Sequence, residues 1–132
     1  MSFGAQLKKF KVNTMGRYVK VKRQSAFDLF SAIIIETPVD KGVLRNNWNV
    51  SFKTPDNSTT DQADKSNEPI DRVERQLEGV DVINDIFFSN NLPYIIPIEY
   101  EGLSGKAKQG VVRVNTVRWP NIVLNNVRNF NT

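Results

Sequence analysis

Chemistry in this chain has to be sought among carboxylates, lysines, arginines and tyrosines, because its 132 residues include no cysteine and no histidine. Their absence removes thiol nucleophiles, disulfides, zinc ribbons and iron–sulfur clusters, together with the commonest general base and transition-metal ligand. Asp81 with Asp85, and Glu99 with Glu101, are carboxylate pairs of the type that acid–base catalysis uses, but nothing around them places either pair in a cleft. Asp56, Asp61 and Asp64 are closely spaced acids. A calcium loop also needs a glycine and a terminal glutamate at fixed offsets, and both are missing. Gly102-Leu103-Ser104-Gly105-Lys106 has the composition of a phosphate cradle. It lacks the Gly-x-x-x-x-Gly-Lys-Ser/Thr spacing, and no buried strand leads directly into it. The expectation is a chain that is not an enzyme, with no catalytic residues, no cofactor and no metal site.

Positive charge carries a stronger signal. Leu7-Lys8-Lys9-Phe10-Lys11 and Arg17-Tyr18-Val19-Lys20-Val21-Lys22-Arg23 interleave bases with aromatic and branched residues. A sequence-independent grip on a nucleic-acid backbone needs that combination, and so does a basic helix face or a subunit interface. The net charge of +4 conceals how the charges are segregated. Seven bases precede the first acid, Asp28; nine acids stand against three bases from Pro55 to Asp85; five bases and no acid follow Gly102. A basic head, an acidic middle and a basic tail attract one another within one chain, or join one copy's basic face to the next one's acidic face.

The elements that must position these groups follow from periodicity. Length and composition, with 39% hydrophobic and 24% charged residues, fit one folded domain over 1–132. Residues 1–16 hold Gly4 and Gly16 and no sustained period, and read as an extended arm with a short strand near Phe10 to Val12. Ala26, Phe27, Phe30, Ile33 and Ile34 then recur at helical spacing, predicting a helix over 17–36 that Thr37-Pro38 ends. Asp40-Lys41-Gly42 is turn chemistry, and Trp48, Val50 and Phe52 alternate with polar residues as a half-buried strand. The polar stretch 54–67 predicts a long mobile loop. Pro69 suits the first turn of a helix that carries Ile70, Val73, Leu77 and Val80, weakened at Gly79. Residues 85–90 read as a buried strand, followed by a short helix ending near Gly102. A last helix carries Trp119, Val123, Val127 and Phe130 and must kink or restart at Pro120. These elements predict an α+β fold, a long N-terminal helix and a C-terminal helix packed on a small, mostly antiparallel sheet that includes 47–53 and 85–90. The longest apolar run, Ala32 to Ile35, is too short to span a bilayer, and no apolar N-terminal run of the secretory kind is present. The chain is therefore expected to be soluble, made in the cytoplasm and without a membrane partner.

Three stretches recur in an order with a known counterpart. Thr37-Pro38-Val39-Asp40-Lys41-Gly42-Val43-Leu44-Arg45-Asn46-Asn47-Trp48 comes first. Ser89-Asn90-Asn91-Leu92-Pro93-Tyr94 with Ile98-Glu99-Tyr100-Glu101-Gly102 follows, and then Gly110-Val111-Val112-Arg113. The order resembles the tail-completion or neck proteins of long-tailed bacteriophages, with their T-P-V-D-T-G-x-L-R-x-S-W, N-N-x-P-Y-A-x-x-x-E-Y-G and G-M-V-R elements. The resemblance spans about residues 17–128, and departs from the pattern at Lys41, at Ile95 and at an added Glu101. It implies a structural virion protein at the head–tail junction, made in the host cytoplasm. Such a protein completes the tail and joins it to the head as part of a homo-oligomeric ring around the DNA channel, six copies by analogy. The implied partners are other phage neck and tail proteins, with non-specific contact to genome DNA in the channel. Candidate interface residues are Lys8, Lys9, Lys11, Arg17, Lys20, Lys22, Arg45, Tyr94, Glu99, Tyr100, Glu101 and Arg113. The tyrosines suit a wet interface, and Arg45 and Arg113 suit bidentate pairing with Glu99 and Glu101. The alternative function is a small nucleic-acid-binding protein that uses residues 7–23 without sequence specificity.

Overall fold

A computed structural model describes residues 2–39, 42–102 and 104–130. The Asp40-Lys41 half of the first turn and Leu103 of the glycine-rich loop lie outside the described residues. The fold is α+β: helix α1 (Phe3–Glu36), strand β1 (Asn49–Phe52), helix α2 (Glu68–Gln76), strand β2 (Ile86–Ser89), and helices α3 (Ile95–Tyr100), α4 (Arg113–Thr116) and α5 (Trp119–Asn129).

Helix α1 begins at Phe3, fourteen positions before the expected start at Arg17, so residues 3–16 are helix rather than extended arm. Ser2 caps the helix by accepting from the Ala5 N–H at 3.1 Å. The segment carries Gln6, Leu7, Lys8, Lys9, Lys11 and Met15, whose side chains are unbranched at Cβ and lose little freedom in a helix. Gly4 and Gly16 each weaken it by about 1 kcal/mol relative to alanine without breaking it. No strand forms near Phe10 to Val12, and every described residue from Ser2 to Tyr18 is exposed on this helix. At the other end the Thr37 N–H bonds the Ile33 and Ile34 carbonyls, and Pro38 turns the chain away.

Strands β1 and β2 pair antiparallel, with Asn49 opposite Ser89 and Phe52 opposite Ile86. Val50 and Phe88 face each other across this pair, so period two sets which side chains meet α1. Phe88 is stacked between Phe30 of α1, at 4.1 Å, and Trp48, at 4.6 Å. The core gathers Ile33 and Ile34 with Val73 and Leu77 from the α2 region and Val111 ahead of α4, all with almost no exposed surface. Helix α2 starts with Pro69 in its first turn, as expected, and gives way at Leu77–Gly79 to a single 3₁₀ turn.

The last helix restarts as expected: α4 ends at Thr116, and α5 opens at Trp119 with Pro120 in its first turn. Asn115 reaches Glu36 near the end of α1 while Asn126 reaches Ser25 and Asp28, so α5 runs antiparallel along α1. The face it buries is only partly the expected one. Of the expected face, Val123 and Phe130 are half-buried but Trp119 and Val127 stay substantially exposed, and the residue buried most is Asn126, with Ile122 half-buried beside it. Polar Asn126 belongs inside because Ser25 and Asp28 satisfy its amide there.

The 54–67 stretch has no regular element, in line with its composition, and it is tied down. Asn47 exchanges hydrogen bonds with the backbone of Thr60, and Asn46 bonds the Gln62 carbonyl. Ser89 and Asn91 both donate to the Asp56 carbonyl.

Candidate functional site

The three resemblance-bearing stretches turn some of their polar side chains, Thr37, Asn47 and Glu99 among them, into the molecule. Thr37 Oγ1 donates to the Ile33 carbonyl and accepts from Trp48 Nε1 at 3.0 Å, tying the end of α1 to the start of β1. Gly42 has φ 79°, and a Cβ there would sit 2.7 Å from the Asp64 carbonyl oxygen. Asn90 Nδ2 donates to the Leu44 carbonyl, and its Oδ1 accepts from the Leu92 N–H, so the second stretch clasps the first. Tryptophan, threonine and asparagine in these stretches are structural.

The third knot is built on Glu99. Its carboxylate is buried and accepts from the backbone N–H groups of Val111, Val112 and Arg113, the turn that opens α4. Arg113 adds a salt bridge to Oε2 at 3.2 Å and a hydrogen bond to the Glu99 carbonyl. The same guanidinium lies 4.7 Å from the centroid of the Tyr100 ring. Burial by itself would push the Glu99 carboxyl up; the hydrogen bonds from Val112, Val111 and Arg113 together outweigh it and hold the group below the usual carboxylate range. Gly110 has φ 83°, and a side chain there would overlap the Glu99 carboxylate. Of the expected pairings, Arg113–Glu99 forms. Arg45 is half-buried with its Nε shielded from solvent and without a hydrogen-bond partner, and it makes no ion pair with a described carboxylate. Glu99 therefore lies inside the molecule, while Tyr94, Tyr100 and Glu101 stand at the surface.

The other chemical candidates resolve into turns. Asp56 and Asp64 each bond the N–H and hydroxyl of the serine two residues on. Those bonds lower the pKa of both carboxyls. Ala107 bonds the Ser104 carbonyl and Gly110 the Ala107 carbonyl, so those amides serve the loop's own turns. Among the described residues no group of three or more ligating side chains could hold a metal ion, and no helix is long and apolar enough to cross a membrane.

The basic head divides in two. Lys8, Lys9, Lys11, Arg17 and Lys20 are exposed on the N-terminal half of α1. Lys22 instead folds back, its Nζ donating to the Asp81 and Asn84 carbonyls at 2.9 and 2.7 Å, and Arg23 donates to the Leu77 carbonyl. Sequence reasoning missed an apolar stripe on the same half. Phe3, Leu7, Phe10 and Tyr18 are all exposed and lie along one side of the helix. The signal was present in the i, i+4, i+7 spacing of the first three, directly after a capping serine. It also missed a groove of about 380 Å³ beside α1, where Leu29, Phe30, Ile86, Ile83 and Trp119 meet. No protein-family model, no curated protein and no solved structure matches this chain.

Proposed function

We propose that the chain is a structural, non-catalytic virion protein of the phage head–tail junction, completing the tail and joining it to the head as one subunit of a ring around the DNA channel. Six copies and contacts with other neck and tail proteins follow from the sequence resemblance. The observation that carries the reading is the first part of α1, residues 3–16, a helical stretch whose bases and large apolar side chains are all exposed. Such a helix is built for contact with another surface. The segregation of charge supports it, because heterologous contacts between unlike faces close into rings when the rotation between copies closes.

The exposed bases of the same helix favour one second reading, a grip on nucleic-acid backbone. The test replaces Lys8, Lys9, Lys11 and Lys20 together with glutamine. On the assembly reading the variant folds normally, since exposed substitutions shift stability by only about 0.5 kcal/mol. Free wild-type protein binds DNA weakly at physiological salt, and particles carrying the variant fail to join heads to tails. Tight DNA binding by the wild type, falling with salt by a log–log slope of roughly 0.9 per phosphate contacted, together with normal joining by the variant, would overturn it.

A further inference from the structure

We infer that the N-terminal half of α1 docks, through Phe3, Leu7 and Phe10, into the groove beside α1 of a second copy of this chain. The inference rests on the ring reading only in requiring that copies associate. Residues 3–18 form a rod about 24 Å long, with an apolar stripe on one side and Lys8, Lys9 and Lys11 around it. The groove offers the complementary surface. Leu29, Ile86 and Trp119 form an apolar wall, Ile83 stands at its edge with 88% of its surface exposed, and Asp85 lines the rim together with Lys22, whose ammonium is bonded to the Asp81 and Asn84 carbonyls. Asp81 is exposed next to that rim, and its carboxylate holds the Ile83–Asn84 turn in place.

Geometry selects the occupant. Because α1 is one helix, its N-terminal half points away from a groove that borders residues 18–30 of the same helix, so it cannot fold back into its own groove. Pairing the stripes of two arms would bring like charges together, since the arm has no acid. A second copy's groove supplies apolar surface together with two carboxylates, Asp81 and Asp85, against the one ammonium of Lys22. The contact is heterologous, arm to groove, and it leaves each copy with one free arm and one free groove to continue the assembly.

Two variants of the full chain test this by native mass spectrometry and light scattering. Leu7→Asp with Phe10→Asp spoils the arm; Ile83→Lys with Asp85→Lys spoils the groove; all four side chains are exposed, so both variants should keep the wild-type circular dichroism. Wild type is expected as a multimer and each variant alone as a single chain. An equimolar mixture should restore a two-chain species, because the intact arm of the groove variant meets the intact groove of the arm variant. A variant that keeps the wild-type mass, or a mixture that stays single-chain, overturns the arm–groove contact. In the first case association persists by other surfaces, and the ring reading stands. A wild type that is single-chain at every concentration, with the arm captured by duplex DNA or anionic vesicles, overturns the contact and removes self-association from the ring reading as well.

Discussion

Glu99 shows how a carboxylate that looks available for chemistry is consumed by structure. Three backbone N–H groups and the Arg113 side chain converge on it. Replacing it with glutamine removes the charge and turns one acceptor oxygen into a donor facing those N–H groups. Hydrogen bonds to a charged group contribute about 1.5–3 kcal/mol, so Glu99→Gln should lower unfolding free energy by about that much at neutral pH, read by urea denaturation. The pH dependence has a definite sign. The folded carboxyl titrates below its ordinary, unfolded value. Its stabilisation is therefore complete above that value and is lost as pH falls through the folded pKa. The gap between wild type and variant should close in acid. A gap independent of pH would mean that packing, not charge, holds this knot.

Helix α1 joins two different regimes in one element. From Ser25 onward it is held by the core; over residues 3–16 every side chain is exposed, and propensity and the Ser2 cap support the helix. Gly4 and Gly16 both have helical backbone, and a Cβ on either would meet open space. Gly4→Ala with Gly16→Ala should therefore stiffen the arm by about 0.5–1 kcal/mol per site. The expected readout is a rise in helical circular dichroism and slower amide exchange in residues 5–18, with the denaturation midpoint of the body unchanged. A shift in that midpoint would show that the arm packs on its own chain.

Charge operates at the scale of the whole molecule. The arm holds bases without acids, and the segment from Pro55 to Asp85 holds nine acids against three bases. Contacts between exposed charges are screened as the Debye length falls from about 10 Å at 0.1 M salt to about 3 Å at 1 M. Light scattering across that range should show multimers dissociating as salt rises, but not completely, because burial of the Phe3–Leu7–Phe10 stripe is insensitive to screening. Assembly strengthened by salt would assign the contact to apolar surface alone.

What the sequence determined by itself was local. Period two placed Val50 on the inner side of β1, helical spacing placed Ile33 and Ile34 in the core, Pro69 and Pro120 marked helix starts, and the lack of histidine and cysteine narrowed the chemistry. The extent of α1 was also encoded, in Ser2 and the Phe3–Leu7–Phe10 spacing, yet two glycines obscured it because their cost is small against fourteen further helical residues. Tertiary structure decided the rest. Asn126 rather than Val127 is buried on α5 because Ser25 and Asp28, about a hundred residues away in the chain, supply its hydrogen bonds. Glu99 turned inward because the amides of 111–113 were brought to it, and Lys22 left the basic face because the Asp81 and Asn84 carbonyls were in reach. A polar side chain goes where its partners are, and those partners are set by contacts that no local pattern records.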